Sequence, residues 1–232
     1  GAERRAGMQA HLAHPGRYAQ ADAGDIAEVK RLLEEHMVLF FPGQNMSMEE
    51  HVALGRPFGP LEGHPNLAER NSAQHPEIFQ LSASEGGIAD EWHTDLTFQA
   101  QPALMSILNM RKCPETGGDT MWTNLCAAYE ALSAPMQEMC DGLTALHDAH
   151  PHGRADKMTI HPVVRVLPET DSGPGPKALY VNEHFTRRIV EMSMEESNNL
   201  LPFLTRWVQS PRFTVRYGWS EGTIGMWGNR CT

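Results

Sequence analysis

Residues 92–95 read Trp-His-Thr-Asp, within a segment, Trp92–Phe98, that we predict to be a strand. Side chains two positions apart on a strand point to the same face, so His93 and Asp95 would lie side by side. A neighbouring imidazole and carboxylate supply two of the three protein ligands of a 2-His-1-carboxylate iron site, which leaves coordination positions open for other molecules. The tripeptide is short, however, and polar residues without a functional role would match it as well.

A glycine-rich stretch further along reads Thr-Gly-Gly-Asp-Thr-Met-Trp-Thr-Asn over residues 116–124. Its glycines permit close approach of the backbone, and the Thr120 hydroxyl can hydrogen-bond an anionic ligand. A simple turn would explain the same residues. Thr120 is therefore a candidate anion contact that needs the support of other motifs.

Hydrophobic spacing and capping residues predict one domain, residues 1–232, with helices inserted between strands. The predicted helices are Asp25–Glu35, Ser47–Arg56, Leu125–Leu132, Ala134–Cys140 and one that opens at Ser193. The predicted strands are Met37–Phe41, Ile78–Ser82, Trp92–Phe98, Ala103–Met110, Leu143–Asp148, His161–Leu167, Ala178–Val181, Phe213–Trp219 and Thr223–Trp227. Capping boxes support the helices that open at Ser47 and Ser193, whereas Pro202 should kink the second of these.

The charge balance excludes two classes of partner. The chain carries 19 basic and 29 acidic residues, a formal net charge of -10. Such a surface repels phosphate backbones and anionic lipids, so we expect neither nucleic acid nor membranes as partners. The 4 cysteines lack CxxC spacing, which favours reduced thiols in a cytoplasm over a zinc site or a disulfide framework.

Several motifs occur together in a specific order. They are WHTD (92–95), GGDT-x-W-x-N (117–124), AAYEALS (127–133), HPVVR (161–165), ALYVNE-x-F-T-x-R (178–188) and W-x-NR (227–230). Over roughly Met37 to Thr232 the chain thereby resembles the taurine dioxygenase family (TauD/TfdA) of iron(II)/2-oxoglutarate-dependent dioxygenases. The resemblance implies a mainly β fold with helices, in which a double-stranded β-helix (jelly-roll) core carries helical insertions.

The resemblance also implies the site and its chemistry. His93 and Asp95 would bind Fe(II), and Thr120 would help to bind the cosubstrate 2-oxoglutarate. His64, Phe98 and Phe185 would line the substrate pocket. With O2, such an enzyme decarboxylates 2-oxoglutarate to succinate and CO2 and hydroxylates a small organic anion, here a sulfonate or alkyl sulfate.

A third iron ligand is not evident within the sequence. The family's distal histidine would fall just beyond Thr232 and its 2-oxoglutarate-binding arginine further still, so we expect that the chain lacks N-terminal and C-terminal segments of the full protein. The alternative ligands within the chain are His147, His161 and His184, and we expect a structural role for His161. The stretch 150–160 looks shorter than in the family, and His150 and His152 are expected to be exposed loop residues.

The predicted pocket differs from that of taurine dioxygenases proper. Leu67, Ala89 and Ala149 occupy the positions of a tyrosine, an asparagine and a phenylalanine in those enzymes. We therefore expect taurine to be a poor substrate. Two other hypotheses remain open from the residues alone: a cupin-like isomerase or hydrolase on the same barrel, and a non-catalytic jelly-roll binding module. A homo-oligomer also stays open.

Overall fold

The computed structural model describes residues 11–12, 18–82, 84, 89–168 and 175–232. In this part of the chain the α-helices are α1 Ala23–His36, α2 Met48–Gly55, α3 Leu125–Glu130, α4 Ala134–Asp141 and α5 Met194–Val208. The strands are β1 His11–Leu12, β2 Val38–Phe41, β3 Met105–Asn109, β4 Thr120–Thr123, β5 Thr144–Ala149, β6 Arg154–Pro162, β7 Val164–Val166, β8 Lys177–Leu179, β9 Thr186–Ile189, β10 Thr214–Tyr217 and β11 Ile224–Gly228. None of the helices described is long and apolar enough to cross a membrane.

The strands pair into small sheets. One has the order β1-β2-β11-β3, a second has the order β6-β5-β9, and β10-β4 and β7-β8 pair separately. Every residue of β2 is buried, as its continuous apolar sequence predicts for a strand that is covered on both faces. The first sheet is antiparallel apart from the β1–β2 pair, and β2 and β3 flank β11 in it.

Local signals placed the helices well. The capping boxes at Ser47 and Ser193 are both present, and Asn124 accepts the Ala127 amide at the start of α3. Ser133 occupies the N-cap position of α4 without a capping hydrogen bond from its side chain. Helix α5 continues through Pro202, because the buried face that includes Leu204 packs into the core on the far side of the proline.

Two predicted strands are wrong. Residues 78–82 form only an isolated bridge between Asn71 and Phe79, and residues 92–98 are irregular backbone and turns. The second of these segments lies between two sheets: Asp95 contacts Ser106 on β3, while Thr97 contacts His147 on β5. The Gly- and Pro-rich composition of residues 171–176 also predicts a turn, and residues 171–174 of this segment lie outside the described residues.

Candidate iron and substrate site

The segment that carries His93 and Asp95 is anchored by its threonines. The Thr94 hydroxyl donates to the carbonyl of Thr232 at 2.6 Å, and the Thr97 hydroxyl lies 2.9 Å from His147 Nδ1. Leu96, between them, has a φ of 57°, in the left-handed region that a continuous strand cannot contain. The turn buries Thr94 and Thr97 and leaves His93 and Asp95 on the accessible side.

The structure brings His93 and Asp95 together, although not through a strand. His93 Nε2 lies 3.4 Å from Asp95 Oδ1, and the two side chains keep 29% and 32% of their accessibility. On the other side of the imidazole, Nδ1 lies 2.8 Å from the carbonyl oxygen of Glu91, and Ser106 donates its hydroxyl to Asp95 Oδ2 at 2.5 Å. The second polar atom of each side chain is thus held by a neighbouring group, while Nε2 and Oδ1 lie next to each other.

The pKa values of the pair shift in opposite directions. Burial opposes both charges, but the hydrogen bond and the charge of Asp95 outweigh it and raise the pKa of His93. In the same way, the hydrogen bond and charge of His93 overcome burial and lower the pKa of Asp95. The site therefore favours an ionised carboxylate with a positive charge beside it, which a bound metal cation can supply in place of the proton.

These donors fit a mononuclear iron site. The His93 ring is held through Nδ1 by a backbone carbonyl, and Asp95 through Oδ2 by a hydroxyl, the outer contacts that usually orient metal ligands. Among the described residues, no group of three or more His, Cys, Asp or Glu could hold a metal ion. The histidine expected beyond Thr232 therefore stays a prediction.

The three histidines considered as ligands within the chain have other contacts. His161 Nε2 lies 2.9 Å from the carbonyl of Thr97 and 3.0 Å from that of Gln99, so its structural role is confirmed. His147 is fully buried against Thr97. His184 Nδ1 lies 2.6 Å from the Glu91 carboxylate.

Beside His93 and Asp95 lies a group of aromatic side chains that we call the ring wall: His64, Phe98, His152, His184 and Phe185. The ring centroids of His93 and Phe185 are 6.2 Å apart, and those of His93 and His184 are 5.5 Å apart. The predicted pocket residues His64, Phe98 and Phe185 thus gather at one place. The small Ala149 side chain packs fully buried against both phenylalanines.

The backbone around His64 determines which of its nitrogens carries the proton. Its Nδ1 accepts hydrogen bonds from the amides of Asn66 and Leu67, at 3.3 and 3.1 Å. The neutral ring must then be protonated on Nε2, which can donate to a ligand. Burial lowers the pKa of His64, although the negative charge of Asp95 partly opposes this, so the ring is neutral at pH 7.

The prediction that His152 is an exposed loop residue is wrong. His152 is half-buried rather than exposed, with its ring centroid 4.9 Å from that of His64 and 5.4 Å from that of Phe185. Only His150, on the same turn, is exposed as predicted. A short polar turn with His-Pro-His has no periodicity that would reveal such a contact, so no signal in the sequence could have found it.

Thr120 lies on the exposed part of β4, and its Oγ1 accepts a hydrogen bond from Trp219 Nε1 at 2.8 Å. Gly117 and Gly118 before it have φ values of 79° and 72°, which agrees with the expected tight backbone. Within the described residues, no contact joins Thr120 to His93 or Asp95. Its role toward 2-oxoglutarate remains a prediction.

The buried histidines should make stability depend on pH. Burial lowers the pKa of His147 to about 3, so the folded protein keeps this ring neutral where the unfolded chain, with a pKa of about 6.5, takes up a proton. The contribution of His147 is therefore complete above about pH 6.5 and is lost as pH falls, at about 1 kcal/mol per pH unit. His147→Asn, which can still contact Thr97, should flatten the dependence of the free energy of unfolding on pH.

The measurement is urea unfolding between pH 7 and 4.5, with His150→Asn as the matched control on an exposed histidine. The control should follow the wild-type curve. Parallel curves for His147→Asn and the wild type would contradict the role assigned to His147.

A β-rich scaffold that presents a His–Asp pair with an open side is the arrangement of mononuclear non-haem iron oxygenases. The family model described as "Taurine catabolism dioxygenase TauD, TfdA family" matches residues 7–232. The chain belongs to this family and is a 2-oxoglutarate-dependent dioxygenase. The dioxygenase hypothesis is thereby supported over the cupin-like enzyme and the binding module.

Relatives with named activities agree with this assignment. The chain is 34% identical to an alkylsulfatase of Acinetobacter baylyi, over 92% of this chain and 72% of the relative. It is 32% identical to an alpha-ketoglutarate-dependent sulfate ester dioxygenase of Pseudomonas putida, over 91% of this chain and 75% of the relative. The crystal structure of a taurine dioxygenase from Burkholderia xenovorans superposes with a TM-score of 0.85 at 36% identity, over 96% of this chain and 77% of that one.

Proposed function

We propose that this enzyme hydroxylates the carbon that bears the sulfate or sulfonate group of its substrate, which is an alkyl sulfate or a sulfonate other than taurine. For an alkyl sulfate, the substrate, 2-oxoglutarate and O2 would yield an aldehyde, hydrogen sulfate, succinate and CO2. The observation that carries the proposal is the oriented His93–Asp95 pair beside the ring wall. The sulfate ester relatives support the substrate class.

His93 Nε2 and Asp95 Oδ1 would hold Fe(II). Bound there, the ferrous ion supplies the redox chemistry that couples decarboxylation of 2-oxoglutarate to hydroxylation. Glu91 and Ser106 keep the two donors aimed at one point, so little reorganisation is needed when the metal binds. Thr120 is assigned to 2-oxoglutarate by the family resemblance alone.

The ring wall would bind the substrate. Phe98 and Phe185 are buried apolar surfaces suited to an alkyl chain, and His64 can donate its Nε2 proton to the anionic head group. Such an arrangement would place the alkyl chain and the anionic head group of the substrate on opposite sides of the carbon to be oxidised. From the family, we further infer a jelly-roll arrangement of the strands. From the free thiols of all four cysteines, we infer a cytoplasmic location.

The test is product formation in full-length protein with Fe(II), ascorbate and air. We expect hexyl sulfate to stimulate succinate release and to yield one sulfate per succinate above the rate without substrate. A panel of sulfonates and aryloxy acids serves as the comparison. Absence of 2-oxoglutarate decarboxylation would refute the proposed function, and stimulation by an aryloxy acid alone would refute the substrate class.

A further inference from the structure

His152 reaches the ring wall because the chain turns tightly between β5 and β6. Residues His150–His152 form one turn of 3-10 helix, and Gly153 follows with a φ of 67°, a conformation that glycine adopts without strain. The turn directs the His152 ring inward: its centroid lies 5.8 Å from that of Phe98 and 5.8 Å from that of His184.

The two nitrogens of His152 have different surroundings. Nδ1 is buried and has no hydrogen-bond partner among the described residues. Burial lowers the pKa of His152 to about 4, so the ring is neutral at pH 7 and carries one proton. A buried N–H without an acceptor is rarer in proteins than a buried lone pair without a donor. We therefore assign the proton to Nε2, which leaves only a lone pair buried at Nδ1.

His64 has the same tautomer, with its proton on Nε2, for an independent reason. Two backbone amides occupy its Nδ1, which leaves the proton on Nε2. The rings of His64 and His152 meet edge to face, with centroids 4.9 Å apart and an interplanar angle of 68°. Two neutral imidazole rings thus lie in contact, and the His152 ring also packs against Phe98 and Phe185.

We propose that His152 is a substrate-binding residue that, together with His64, donates a hydrogen bond to the sulfonyl oxygens of the substrate head group. A sulfate ester offers three such oxygens around one sulfur atom, so two neighbouring donors can bind it at the same time. Both donors are neutral, so they add no charge beside the cationic iron site. This inference rests on the proposed function, because it specifies how that substrate would be held.

The test distinguishes a hydrogen-bond donor role of His152 from a role in aromatic packing alone. His152→Phe keeps a ring against Phe98 and Phe185 but removes the N–H, and should weaken binding of hexyl sulfate about 10- to 100-fold, the loss expected for a hydrogen bond to a charged group. His152→Gln can place an amide N–H near the position of Nε2, and should recover most of the affinity. His152→Asn places its amide near Nδ1 instead, and should not.

The dissociation constant of hexyl sulfate is measured by calorimetry on full-length enzyme with Fe(II) and 2-oxoglutarate under anaerobic conditions, where no turnover occurs. KM under air is the second readout. His150→Phe, an exposed neighbour on the same turn, is the matched control and should bind as the wild type does. Thermal unfolding establishes that each variant is folded.

The outcomes are distinct from those that test the function itself. If wild-type enzyme binds and oxidises hexyl sulfate while folded His152→Phe binds it equally well, the role of His152 is refuted and the proposed function stands. Equal losses in His152→Phe and His152→Gln would also refute the donor role. If wild-type enzyme neither decarboxylates 2-oxoglutarate nor binds hexyl sulfate, the proposed function fails first.

Discussion

His93→Ala and Asp95→Ala are each expected to lower Fe(II)-dependent succinate formation by more than about 100-fold, since loss of a partner behind a metal ligand already costs about 10- to 100-fold. The physical reason is the geometry of the pair: Nε2 and Oδ1 lie 3.4 Å apart, and either substitution removes one of the two donors. Asp95→Glu should be nearly as damaging, because an added methylene moves the oxygen by more than the tolerance of about 0.2 Å for a metal–ligand distance.

The measurement is succinate release together with Fe(II) binding in full-length protein. Removal of Asp95 leaves the Ser106 hydroxyl without its acceptor, so circular dichroism and thermal unfolding must establish that each variant is folded. His75 and Glu49 form a second His–carboxylate contact, at 3.2 Å, and serve as the matched control. Their alanine variants should keep wild-type turnover. Near-normal turnover in a folded His93 or Asp95 variant would refute the assignment of that residue as an Fe(II) ligand.

Taurine is expected to be a poor substrate compared with hexyl sulfate, by a factor of about 5 to 150 in kcat/KM for each polar group of taurine left without a partner. Ala149 belongs to the same buried cluster as Phe98 and Phe185, and its side chain is too small and apolar to bind an ammonium group. Leu67 contributes its backbone amide to His64, while its side chain offers no hydrogen bond. An alkyl chain suits these surfaces, whereas the charged amine of taurine would lose its hydration there.

The decisive measurement is a side-by-side kcat/KM for taurine and hexyl sulfate, with succinate release as the signal. Hexane sulfonate is the control that separates the head group from the chain, because it shares the chain of hexyl sulfate and the sulfonate of taurine. Both six-carbon substrates should exceed taurine. A clear preference for taurine would overturn the expectation.

Short-range signals in this sequence predicted the elements whose stability is local. The capping boxes at Ser47 and Ser193 form as expected, because an N-cap serine and the glutamate three residues later can satisfy each other's backbone amides. The buried strand β2 likewise follows from its continuous apolar run. A structural role for His161 was also expected, from its place before Pro162 and from the resemblance to the family.

The proximity of His93 and Asp95 was predicted correctly, whereas the backbone that carries them was not. His93 and Asp95 do lie side by side, but through a turn with Leu96 in the left-handed region. Nothing between residues 92 and 98 specifies that turn. It is held by contacts far away in the chain, such as the hydrogen bond from Thr94 to Thr232, 138 residues later.

The sequence by itself determined the family, the His–Asp pair and the apolar members of the ring wall, because these depend on residue identity and order. Only the tertiary structure decided that His152 joins His64 in the ring wall. It also decided that His147 and His161 contact Thr97 and so stabilise the turn there. The physical reason is that these histidines acquire their surroundings from strands and loops distant in sequence. Burial and hydrogen bonding, which decide whether an imidazole is exposed, structural or available to a substrate, arise only when those segments pack together.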